Sequence, residues 1–204
     1  MKVLVNNHPS HLEGAPVDEF GLLLSIPNKI NLSDVEKSHF DFAIDNGCFN
    51  DFKIKPFLRL LLKLKAKPLF VVAPDKISDK TKTLRLWDYW QPIINDLGFA
   101  AAFVLQDGIT WSEVPETQHL FVGGSTDFKM GETAIAICRK AKAKGCYVHV
   151  GRVNSKKRMR RAFWEHNADS IDGQHWSKFI RPSLESSDFS RWLESIKNQP
   201  PLFQ

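Results

Sequence analysis

The chain has 204 residues, enough for one domain with a substantial core, since domains typically span about 50 to 250 residues. Lys and Arg number 28 against 23 Asp and Glu, and the net charge of +5 favours anionic partners, nucleic acid among them, while serving solubility equally well. Three cysteines without CxxC spacing argue against a disulfide framework, no apolar run reaches the roughly 18 residues of a membrane span, and the opening MKVLVNNHPSHLEG has too short an apolar segment for a signal peptide, so a soluble cytoplasmic chain is expected.

In chain order, KVLVNN (2–7) reads as a first strand and GLLLSIP (21–27) as a candidate second. FAIDNG (42–47) is a strand, and KPFLRLLLKLKA (55–66) has helical periodicity. PLFVVAPD (68–75) is a strand followed by the helical KTLRLWDYWQPIINDLG (82–98). AAFVLQDG (101–108) and HLFVGGS (119–125) are strands, and GETAIAICRKAKAKG (131–145) is a helix stopped by Gly145. YVHVGRV (147–153) is a strand, NSKKRMRRAFWEHN (154–167) a helix with Ser155 as its N-cap, and DSIDG (169–173) a short strand. The C-terminal stretch predicts an amphipathic helix near 186–198, carrying Phe189, Trp192 and Ile196 at helical spacing, with a loose tail after 199.

Alternation of near-continuous apolar strands with helices implies a parallel sheet covered by helices. The first strand runs into NNHPSH, so the glycine-rich phosphate loop of an open doubly wound sheet is missing in both its GxGxxG and GxxxxGK[ST] forms. The expected fold is a single-domain (β/α)8 TIM-like barrel over 1–204, compact or partly reduced at this length.

In such a barrel all strand C-termini open onto one face, so residues at those ends converge. They are Asp45, Asp75, Gln106, Gly123 with Gly124, Arg152 with Asn154, and Asp172. Each has a plain structural reading. Asp45-Asn46-Gly47 and Gln106-Asp107-Gly108 are turn sequences, Gly123-Gly124 relieves crowding, and Asp172-Gly173 resembles a hairpin turn. Their repetition at successive strand ends is what points to a site.

The chemistry is limited by what the ends lack. Metal ligation would want His or Cys beside the acids, and none of these strand ends carries an evident His pair, so no metal or cofactor is expected; His149, inside YVHVG, reads as a packed strand residue. No GxSxG elbow is present. Paired carboxylates remain, and they suit reactions at a sugar anomeric carbon, one attacking or stabilising C1′ while the other moves a proton. A further Asp, a Gln and a glycine N–H suit hydrogen bonding to a heterocyclic base. Together they indicate a nucleobase on a ribose-type sugar.

These residues resemble the tRNA-guanine transglycosylase superfamily, and more closely its compact DNA-acting branch, which installs 7-deazaguanine bases in phage and bacterial DNA. DNGCFN (45–50) stands where that family has Asp-Ser-Gly-Gly-Phe-Gln. VVAPD (71–75), FVLQDG (103–108), FVGGS (121–125) and NADSIDG (167–173) follow in the family's order, over roughly residues 40–175. The resemblance implies a (β/α)8 barrel in which Asp172 is the nucleophile, Asp45 the general acid/base, and Asp75, Gln106 and Gly124, beside Gly123, bind guanine or a 7-deazaguanine base. The CxCxxC zinc cluster of the tRNA enzymes is missing, Gly173 replaces their Cys, and the chain is far shorter. The resemblance therefore favours DNA over tRNA, with a helper protein among the implied partners and host cytoplasm as the location if the gene is phage-borne.

Residues 151–167 also fit phosphate binding: Asn154 and Ser155 open a helix, and Arg152, Lys156, Lys157 and Arg160 add charge, with Lys129 a further candidate. The alternative there is a solvated basic helix face. For the whole chain, the rivals to base exchange are a nucleoside or nucleic-acid N-glycoside hydrolase and a non-catalytic barrel that binds nucleic acid.

Overall fold

Strand side chains alternate between two faces, so in a closed barrel every second residue enters the interior and its neighbours meet the helices. The computed structural model describes residues 1–6, 8–26, 31–48, 52–179 and 188–199, without the side chains of 177–179 and 188. Its eight strands are β1 (Lys2–Val5), β2 (Phe20–Ser25), β3 (Phe42–Asp45), β4 (Val71–Val72), β5 (Ala101–Leu105), β6 (His119–Val122), β7 (Tyr147–Val150) and β8 (Ser170–Asp172). They close into one parallel barrel in sequence order. The seam pairs Val3 with Ile171 and Leu4 with Asp172.

The predicted (β/α)8 fold is therefore present, and in reduced form. Helix α1 (Leu32–Lys37) follows β2, α2 (Ile54–Lys63) follows β3, and α3 (Lys80–Asp96) follows β4. Helices α4 (Thr126–Lys129) and α5 (Glu132–Ala143) follow β6, α6 (Lys156–Trp164) follows β7, and α7 (Gln174–Phe179) and α8 (Asp188–Lys197) follow β8. Among the described residues, the β1–β2 and β5–β6 crossovers carry only single 3-10 turns, at Pro9–Leu12 and Trp111–Glu113.

Alternation sorts the apolar residues into two cores. Leu4, Leu23, Ala43, Phe70, Val72, Ala102 and Val104 fill the barrel interior, while Val3, Val5, Leu22, Leu24, Ile44, Phe103, Leu120, Val148 and Ile171 face the helical shell. Burying each large side chain contributes about 1.5–3 kcal/mol.

The predicted strand over 68–75 shortens to Val71–Val72 because it is bracketed by Pro68 and Pro74, which have no N–H for a ladder. Its pairing reaches beyond that core, since Leu69 N–H donates to Phe42 O (2.7 Å) and Ala73 N–H to Ala102 O (3.1 Å). Gly145 ends α5 at a φ of +79°, and Ser155 caps α6 by accepting from Arg158 N–H. The C-terminal helix docks through buried Phe189, Leu193 and Ile196, and Trp164 Nε1–H donates to Ile196 O (3.0 Å). Trp192 is only partly buried there. The expected tail after 199, and Phe49 and Asn50 of the DNGCFN motif, lie outside the described residues. No described helix is long and apolar enough to cross a membrane.

Candidate active site

The strand C-termini surround a cavity of about 460 Å³ lined by Asp45, Asp75, Gln106, Gly123, Gly124, Lys129, Arg152, Asn154 and Asp172. Nine residues expected at or near one site are thus brought together. A larger hollow of about 910 Å³ lies against the opposite strand ends, among Trp87, Trp111, His119 and Cys146. It has no comparable cluster of acids, and barrel chemistry is built at the C-terminal face.

Asp45 is the last residue of β3, on the interior face with Ala43. Its Oδ2 accepts from Ser25 Oγ (2.9 Å), the residue paired with it at the end of β2. The turn reading of this segment holds for its neighbours. Asn46 Oδ1 accepts from Cys48 N–H (2.8 Å), and Gly47 takes a φ of +72° with the Ile26 carbonyl where a side chain would stand. Asn46 caps the turn and leaves Asp45 to the cavity. Burial pushes the Asp45 pKa up, and the negative charge of Asp172 adds to it against the opposing bonds from Ser25 and Gly47 and the nearby His149. A raised pKa moves a carboxyl toward the range of a general acid.

Asp75 is tied on both oxygens. Asn46 Nδ2 donates to Oδ1 (2.7 Å) and Gln106 Nε2 to Oδ2 (2.7 Å), while Asp75 N–H points to Cys48 Sγ (3.4 Å). Burial raises its pKa to about 6, with Asp45 also raising it and the amide bonds lowering it. Gln106 is itself buried, and its Oε1 accepts from Ser78 N–H (2.8 Å). Gln106 thus uses both ends of its amide on the protein and holds Asp75, where the sequence suggested a direct contact to a base.

Asp172 ends β8 on the same interior face as Ser170. Its Oδ1 lies 3.0 Å from His149 Nε2 and accepts from Arg152 N–H (3.1 Å). Among the described residues, no hydrogen bond reaches Oδ2. The hairpin reading of Asp172-Gly173 fails, because β8 pairs in parallel with both β7 and β1. Arg152 and Ser78 have left-handed backbones, φ 59° and 57°, and each directs its N–H at a site side chain. Strain of this kind persists where the surroundings enforce it.

The basic candidates divide. Lys129 is buried in the cavity wall, and its pKa falls to about 8 through burial and the charges of Arg152 and Arg158, against Asp172 and Asp107. Arg152 and Asn154 line the cavity, but Asn154 Oδ1 accepts from His175 N–H (3.1 Å) and pins α7. Ser155, Lys156, Lys157 and Arg160 do not line it. Lys156 Nζ donates to Ser195 Oγ on α8 (2.9 Å), which makes it a helix-packing contact in this structure.

Sequence reasoning missed Ser25, Asn46, His149 and Ser170. Period-two counting back from Asp172 and along β7 would have placed Ser170 and His149 inside the barrel, and Ser25 is a polar residue at the end of an apolar strand.

No protein-family model and no curated protein matches the chain. Among solved structures it is similar to two mutant forms of flavocytochrome b2. The first aligns at a TM-score of 0.50 and 12% identity, covering 93% of this chain and 57% of that one. The second, with benzoylformate, aligns at 0.53 and 12%, covering 96% and 61%. The chain spans about three fifths of the length of those proteins. Identity this low carries the barrel fold alone.

Proposed function

We propose that the chain is a base-exchange glycosyltransferase that replaces guanine by a 7-deazaguanine derivative in nucleic acid, DNA foremost, through a covalent Asp172–glycosyl intermediate. The observation that carries this reading is the pair Asp45 and Asp172 on one cavity, with Asp75 held beside them by two amides. The order of the strand-end motifs, and their resemblance to guanine transglycosylases, selects the base.

In this mechanism Asp172 Oδ2 attacks C1′ as the C1′–N bond to guanine breaks, and Asp45 gives its proton to the leaving nitrogen. The incoming base returns a proton to Asp45, and its nitrogen displaces Asp172 from C1′. Asp75 accepts from ring N–H and exocyclic NH₂ groups of the base, and the Gly124 N–H faces its carbonyl. Lys129 and Arg152 attract the phosphates of the strand.

The test is a denaturing gel after incubation with DNA and no incoming base. The parent should give a slow-migrating protein–DNA adduct, and Asp172→Asn none, because an amide keeps the volume without the anionic nucleophile. An adduct surviving in Asp172→Asn removes that residue from its role. Labelled base separates the rival hydrolase: guanine released without incorporation of label means that water resolves the intermediate.

A further inference from the structure

We propose that His149, its tautomer set by Asp172 and matched by Ser170, positions the Asp172 carboxylate so that Oδ1 is locked and Oδ2 faces the substrate carbon. The assignment rests on the base-exchange reading of Asp172 and extends it to two residues inside the barrel. Asp172 can only accept when ionised, so the 3.0 Å contact makes His149 Nε2 the protonated nitrogen. A neutral ring then has a bare Nδ1, and Ser170 Oγ, 2.8 Å away, donates to it. The chain of bonds runs Ser170 Oγ–H to Nδ1, then Nε2–H to Asp172 Oδ1.

The ring has no freedom to turn. His149 is fully buried, its centroid 4.7 Å from the Phe121 ring and 5.6 Å from the Phe70 ring. Its two nitrogens are held by residues of the adjacent strand, where His149 pairs with Ser170 in register. Arg152 N–H supplies the second donor to Oδ1 from a left-handed backbone. Two donors on one oxygen fix the carboxylate plane and direct the other oxygen to the cavity. His149 is thus a positioning residue acting through the nucleophile.

Two measurements test this. The first is ¹⁵N NMR of the imidazole in the parent protein without substrate, where the Nε2–H tautomer is expected, with that preference weakened in Asp172→Ala. The second is single-turnover formation of the DNA adduct by His149→Gln and His149→Phe. Gln offers an N–H near the place of Nε2 but loses the ring, whereas Phe keeps the ring packing and has no donor. Phe should slow adduct formation about a hundredfold, the cost of a misplaced reacting group, with base binding unchanged, and Gln should recover most of the rate. A Phe variant as fast as or faster than Gln shows that the ring serves only packing, and an Nδ1–H tautomer in the parent breaks the relay; either result overturns the proposal. If the parent itself forms no adduct on DNA or RNA, the base-exchange reading fails and this role with it, whereas failure of the relay alone leaves the parent's adduct intact.

Discussion

Asp75 carries a charge that the fold disfavours: its pKa stands near 6, above the roughly 3.9 of a free Asp, because burial outweighs the bonds from Asn46 and Gln106. A raised folded pKa means that the native state binds the proton more tightly than the unfolded chain. Its contribution to stability is fully present below about pH 4 and is lost as pH rises through about 6. A rise of that size corresponds to roughly 3 kcal/mol as an upper figure. Asp75→Ala should therefore gain on the parent as pH rises from about 4 to about 6.5, whatever its fixed cost from leaving two amides unpaired. Urea denaturation of both proteins at the two ends of that range checks it, and a constant difference would mean that Asp75 is not titrating there.

At the scale of elements, α6 brings the basic run of the sequence to the surface beside the cavity mouth without entering it. Lys157 is exposed, and Lys156 leans on α8. If this helix tracks a nucleic-acid backbone, Lys157→Glu with Arg160→Glu should weaken polynucleotide binding and flatten its salt dependence. Each lost contact should reduce the slope of log K against log salt by about 0.9 on duplex DNA or about 0.7 on single strands. Titration at several salt concentrations reads the slope directly. An unchanged slope would assign α6 to a solvated face and leave phosphate contact to Lys129 and Arg152.

For the whole molecule, the cup stands on the packing of the barrel interior. Phe70 is buried and touches the rings of His119, Tyr147 and His149, so it joins the apolar interior to the relay behind Asp172. Phe70→Ala should cost about 3–5 kcal/mol of stability, the range for emptying a buried aromatic site, and the surrounding rings have limited room to collapse. Chemical denaturation measures it. A loss below about 1 kcal/mol would place the stability of the barrel in its helical shell.

By itself the sequence determined the strand–helix alternation, the barrel, and the strand-end residues, because apolar periodicity and turn chemistry are local properties and a parallel barrel sends every strand C-terminus to one face. Asp45, Asp75, Gln106, the two glycines, Arg152, Asn154 and Asp172 were legible for that reason. Only the tertiary structure decided which partner each polar group has. Gln106 turns to Asp75, Asn154 to α7, Lys156 to α8, and His149 to Asp172, since each choice depends on a neighbour 20 or more residues away in the chain. The same distance separates Ser25 from Asp45, whose pKa is raised by burial that no local pattern records.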